Sequence, residues 1–115
     1  MNKQIQNDNP VFGCFELDAI GTILYTKIEA EGIFGSRKPS VIGQNFFDEV
    51  APFANIEDFR GRFNRFIKSR DAAENFTFNC RVENSDVPAK VMLTQINEHQ
   101  FNDHRQLVMV DIRKA

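Results

Sequence analysis

The sequence predicts an α+β domain in which a strand hairpin, a central block of helical segments and three further strands share one antiparallel sheet. Three observations carry that prediction. Apolar and polar residues alternate near both ends of the chain; one stretch, 56–70, repeats its apolar residues at the helical period; and strand-type segments are segregated from the helical block. Regular strand–helix alternation would have implied a parallel sheet instead. At 115 residues and 42% apolar content, the chain fits one domain that buries roughly two-thirds of its extended surface without a disulfide or metal staple. Phe supplies 12 of the aromatic residues, Tyr one and Trp none, so the expected core is phenylalanine-rich. Fourteen basic against sixteen acidic residues leave a net charge of -2, which gives no basic footprint for a nucleic acid or an anionic membrane.

The elements follow in order. Residues 1–10 form a short polar leader without a signal core, and 11–115 form the single domain, expected in the cytoplasm. Val11, Gly13, Phe15 and Leu17 fall on one strand face, Asp18–Gly21 supplies a turn, and Thr22–Tyr25 returns as the second strand. The stretch 27–40, broken by Gly32, Gly35 and Pro39, is expected to form short helical turns. Residues 44–50 can form one or two turns, ended before Pro52. The strongest helix spans 56–70: Ile56, Phe59, Phe63, Phe66 and Ile67 lie within an arc of about 100°, with Arg62, Arg65 and Lys68 on the solvated side. Asn55 is its expected N-cap, Glu57 and Asp58 suit the positive first turn, and Lys68 and Arg70 the last. Phe76, Phe78, Cys80 and Val82 then alternate with polar residues as a half-buried strand does. A turn at 83–86, a strand at 89–94, a loop at 97–103 and a strand at 107–112 complete the chain.

That order resembles the PAS sensor fold. Phe12-Gly13, Gly21-Thr22-Ile23-Leu24, the run Val41 to Pro52 (VIGQNFFDEVAP) and Pro88-Ala89-Lys90-Val91 are more closely similar to the photoactive yellow protein family, over residues 11 to 113. The resemblance implies a five-stranded antiparallel sheet with helices over one face. In that family a cysteine directly after the Ala-Pro pair carries a p-coumaroyl chromophore as a thioester; Phe53 stands there in this chain. The family's buried Tyr and Glu, which hold the chromophore, correspond by ungapped counting to Thr26 and Ala30, its hydroxyl-bearing pocket residue to Phe34, and its shielding Arg to Ser36. Sliding the segment to place Glu31-Gly32 on the family's Glu-Gly pair is the alternative. Set against the family's longer N-terminal cap, the leader is expected to be a shortened counterpart.

The pocket, or the plug that fills it, is therefore assigned to Thr26, Ala30, Phe34, Phe53 and Phe63, with Tyr25 and Glu31 as candidate polar contacts. Tyr25 can face the cavity or the opposite side of the sheet, and Glu29 with Glu31 would serve as an acid–base pair only if one were desolvated. His99 and His104 read as solvated loop residues rather than metal ligands, Asn79-Cys80 lacks the setting of a flavin-attachment motif, and no nucleophile–base pair can be assembled. Cys14 and Cys80, with no partner Cys or His at ligand spacing, read as packed thiols rather than a disulfide, and the strand order that the resemblance implies also holds their strands apart. The expected function is a non-enzymatic PAS-type signalling module acting through protein–protein contact, with no covalent chromophore and no cofactor. Its expected partner is another signalling protein or a second copy in a homodimer, with no nucleic acid or membrane. The alternative is a PAS domain that senses a small ligand noncovalently. The stretch Leu107–Val110, as an apolar edge, and the uncovered sheet face are the expected partner surfaces.

Overall fold

The computed structural model describes residues 12–28, 41–51, 53–82, 85–97 and 106–115. Its strands are β1 (Gly13–Asp18), β2 (Ile23–Ile28), β3 (Ala73–Val82), β4 (Ser85–Asn97) and β5 (Gln106–Lys114). A π-helical turn (Phe46–Val50) and helix α1 (Ile56–Lys68) lie between β2 and β3. The strands form one five-stranded sheet in the order β2-β1-β5-β4-β3, antiparallel at every pairing. The α+β expectation and the PAS-type sheet are both realised.

The β1–β2 hairpin is closed by Asp18, whose Oδ1 accepts from the backbone N–H groups of Ile20 at 3.1 Å and Thr22 at 2.8 Å. Gly21 adopts φ +97°, and a Cβ there would come within 2.7 Å of the Phe47 ring, so both conformation and space require glycine. Asn45 fastens this hairpin to the π turn. Its Oδ1 accepts from the N–H groups of Phe47 and Asp48 at 3.0 and 3.1 Å, and its Nδ2 donates to the Ile20 carbonyl at 2.8 Å. Glu49 Oε2 accepts from the Asn45 N–H at 2.9 Å, so cap and reciprocal acid satisfy the turn's start from both sides.

Helix α1 buries Phe59, Phe63 and Phe66 and half-buries Ile56 and Ile67, the face its periodicity predicts. It is shorter than expected, because Ser69 ends it: the Ser69 N–H donates to the Arg65 and Phe66 carbonyls, and its Oγ donates to Phe66 at 2.8 Å. The sheet meets this face with Phe15, Leu17, Phe78, Val91, Leu93 and Val110, all buried in one apolar cluster with the π-turn residues Phe46 and Phe47. No polar or charged side chain among the described residues is buried. No helix among them is long and apolar enough to cross a membrane.

Several expectations are corrected. β4 begins at Ser85, inside the expected turn, and runs straight through Pro88. Pro88 pairs with Asn79, whose carbonyl bonds away from β4, so the missing N–H costs the ladder nothing. β5 is the middle strand, paired on both sides; Leu107, Val108 and Val110 are buried and present no edge. Lys27 and Ile28 belong to β2 rather than to helical turns, and the remainder of that stretch lies outside the described residues. Cys14 and Cys80 form no disulfide with each other; they stand on β1 and β3 with β5 and β4 between them.

Candidate functional site

The interior between the sheet and the helices is the region to which the pocket residues were assigned. Phe53, on the loop before α1, is 4% exposed. Its ring lies 6.2 Å from that of Phe59 and 6.1 Å from that of Phe78. The loop is clamped to β3: the Ala54 N–H donates to the Arg81 carbonyl at 2.8 Å, Asn55 Nδ2 donates to the Asn79 carbonyl at 2.8 Å, and the Arg81 N–H donates to Asn55 Oδ1 at 3.2 Å. Asn55 therefore makes no side-chain cap on α1. Its amide matches a strand edge better than a helix end, because it offers a donor and an acceptor side by side.

Phe59 is the hub of the rings. Its centroid lies 6.0 Å from Phe46, 6.3 Å from Phe47, 6.0 Å from Phe76 and 5.1 Å from Phe78 in addition to Phe53. Phe63, fully buried, packs edge-on against Phe47 at 5.0 Å, and Phe46 carries the chain of rings to Phe15 at 5.1 Å. The tilted and edge-on geometries are those that aromatic quadrupoles favour. Two arginines close the flanks. Arg60 stands over Phe47 at 5.3 Å and pairs with Asp48 at 3.0 Å; Arg62 stands over Phe76 at 4.4 Å and lies 3.7 Å from Glu74. Arg62, expected on the solvated face, is thus folded onto the rim of the ring cluster.

The other assigned residues divide. Thr26 pairs with Phe15 across the hairpin, and its hydroxyl donates to the Cys14 carbonyl at 3.2 Å. Tyr25 pairs with Glu16 on the face away from the helices and is 53% exposed, so it is no pocket contact. Ala30, Glu31 and Phe34 lie outside the described residues, as do Glu29, Ser36, His99 and His104. Among the described residues no group of His, Cys, Asp and Glu could hold a metal ion. Burial pushes the Cys80 thiol up to about 12, which keeps it protonated and unreactive at neutral pH. The described interior offers ring surface and volume rather than acid–base or nucleophilic groups.

One polar feature was missed by the sequence reading. Gln95 Nε2 lies within hydrogen-bond distance of the Phe66, Ser69 and Asp71 carbonyls at 3.2, 3.3 and 3.2 Å, and Gln106 Nε2 donates to the Ile67 carbonyl at 2.9 Å and to Gln95 Oε1 at 3.1 Å. Two strand amides thereby tie the last turn of α1 and the residues after it to the sheet, supplying donors to the Ile67, Ser69 and Asp71 carbonyls and a further one to Phe66. The signal was present, since Gln95 shares the inward face of β4 with Val91 and Leu93 and so required a polar partner there. On the opposite face, a groove of about 430 Å³ is lined by Asn75, Thr77, Lys90, Met92, Asp111 and Arg113.

Known proteins place this architecture. No family model matches the chain. It is 40% identical over 67 residues to the photoactive yellow protein of Halochromatium salexigens, covering 58% of this chain and 54% of that one. To the protein of the same name from Rhodobacter capsulatus it is 36% identical over 92 residues, 78% of this chain and 73% of the relative. The chain thus spans little more than half the length of some relatives and nearly three-quarters of others. Among solved structures, the photoactive yellow protein domain of the sensor histidine kinase Ppr from Rhodospirillum centenum superposes with a TM-score of 0.60 at 28% identity, over 86% of this chain and 89% of that domain. The PAS domain of Bordetella pertussis BvgS, at 7% identity, shares the fold with a TM-score of 0.63 over 90% of this chain and 76% of that one. With a PAS-type sheet, a Phe-lined interior and more than a third of the aligned residues shared across most of its length, the chain belongs to the photoactive yellow protein family.

Proposed function

We propose that this chain is a sensory PAS module of the photoactive yellow protein type that signals through protein–protein contact, without covalently attaching a p-coumaroyl chromophore and without enzymatic activity, in the cytoplasm. The observation that carries the reading is Phe53. It occupies the position after the Ala-Pro pair where the family's thioester cysteine is expected, it is buried, and its ring is packed against Phe59 and Phe78. A phenyl ring has no nucleophilic atom for an acyl group, and each such ring fills the order of 150–250 Å² of contact surface. Thr26, at the family's tyrosine position, already donates its hydroxyl to the Cys14 carbonyl. The residues present therefore do not fit a covalently held hydroxycinnamoyl group, and volume stands where the family places polarity.

A native mass spectrum of the gently purified protein tests this reading. The bare chain mass, as monomer or dimer, is expected; added mass that is lost on denaturation would replace the reading with noncovalent ligand sensing. A second test adds activated p-coumaric acid to Phe53→Cys. No reversible photobleaching is expected, because the thiol alone does not restore the hydrogen-bonding partners. A reversible bleach would show that the pocket is intact and overturn the plugged interior.

A further inference from the structure

The two ends of β3's outer edge are treated differently. Near its C-terminal end the edge is closed: the Asn79 carbonyl accepts from Asn55 Nδ2, the Arg81 N–H donates to Asn55 Oδ1, and the Arg81 carbonyl accepts from the Ala54 N–H. Backbone groups alternate in direction along an antiparallel strand, so Ala73, Asn75 and Thr77 present their N–H and C=O groups on this same outer side. Ala72, of the other parity, gives its carbonyl to the Gln95 N–H of β4 at 2.9 Å. Ala73, Asn75 and Thr77 are exposed, and among the described residues nothing bonds their outward backbone groups. At the start of β2, by contrast, the edge is covered: the Ile23 N–H donates to the Gln44 carbonyl at 2.9 Å and its carbonyl accepts from the Gly43 N–H at 2.7 Å. An open strand edge is a template for another strand, and folded proteins ordinarily block it.

We propose that the open segment Ala73–Thr77 of β3 is an interaction edge that pairs antiparallel with the same segment of a second copy, joining two sheets into one. The segment is self-complementary. With Asn75 opposite Asn75 of the second copy, Ala73 of each copy faces Thr77 of the other, and the outward N–H and C=O groups of the three residues meet as donors and acceptors. Glu74 of each copy then lies opposite Phe76 of the other. Arg62 already stands over Phe76 at 4.4 Å, so each copy brings a cation to the other's Glu74 and a carboxylate to the other's Arg62. The ends of the contact are set by the closed stretch at Asn79 and Arg81. This inference rests on the protein-contact reading above and names the partner as a second copy.

Sedimentation of the intact chain across a concentration series tests it. The wild type is expected to associate to twice the chain mass. Asn75→Pro removes only an outward N–H and leaves the β4 ladder intact, a substitution that edge strands tolerate; it is expected to be monomeric, with a thermal melt that does not depend on concentration and matches that of the diluted, dissociated wild type. Glu74→Arg is expected to weaken association by about tenfold, the size of the two symmetry-related exposed ion pairs it removes, and Glu74→Arg combined with Arg62→Glu to restore it, which keeps the test decisive if the proline variant does not fold. A wild type that stays monomeric, or a dimer indifferent to both sets of substitutions, overturns the proposal. A dimer broken by Met92→Lys alone also overturns it and places the contact on the sheet face. The native mass spectrum separates the two failures, since bound ligand defeats the signalling reading while a bare monomer defeats only the edge pairing.

Discussion

Along β3, Phe78 and Cys80 turn toward α1 and are buried, whereas Asn75, Thr77 and Asn79 between and beside them turn to the opposite face and are exposed. The same contrast holds across the sheet. Phe15, Val91 and Val110 line the inner side, while Glu16, Lys90 and Met109 alternate with them on the outer. One face packs aliphatic and phenyl side chains into an interior in which no charged group among the described residues is buried; the other keeps a mixed-charge groove beside a strand edge that is open among the described residues. The inner face can set stability and shape, and the outer face and its edge hold the groups that recognition requires.

Substitutions can break this division in order of expected effect. Phe59→Ala removes a ring with five aromatic neighbours, and chemical denaturation should register a loss of about 3–5 kcal/mol. Phe53→Ala, with two ring contacts, should fall toward the lower end of that range; a loss below about 1 kcal/mol would mean the ring is not part of the packed interior. Gln95→Ala removes the amide donor from the Ser69 and Asp71 carbonyls and from Phe66, which keeps its bonds from Ser69, and is expected to cost about 1–3 kcal/mol. Hydrogen exchange should locate that loss at the end of α1.

The Cys80 thiol adds a pH-dependent effect. Its folded value of about 12 lies above the ordinary 9.0, so the unfolded chain releases this proton first and stability falls as pH rises from about 9 toward 12. The loss from this group should be on the order of 1 kcal/mol at pH 10, and Cys80→Ala should remove it from the alkaline limb of a pH–stability curve. At the small end, Tyr25→Ala on the outer face should change unfolding free energy by less than about 0.5 kcal/mol. A larger change would show that Tyr25 is packed against something on that side.

Legibility followed the range of the interactions involved. The alternation around Phe76, Phe78 and Cys80 and the helical stripe from Ile56 to Ile67 were readable because each is a local pattern that one buried face imposes. The hairpin turn at Asp18–Gly21 was readable for the same reason. Asn55 was misread because a cap residue before a helix and an amide that clamps a distant strand look alike until β3 is beside it. β5 was read as an edge because its apolar run says that it is covered without saying on how many sides. Gln95 and Gln106 meet only through the β4–β5 register, which no local pattern contains.

By itself the sequence determined the element types, the Phe-rich core and the residue at position 53, since these follow from side-chain chemistry and spacing. Only strand order and packing place β5 in the middle, turn Tyr25 away from the helices, close one half of the β3 edge with Asn55 and, among the described residues, leave the other half without a partner. Strand order and register bring together residues far apart in the chain, and a hydrogen bond across that distance depends on where both partners are held.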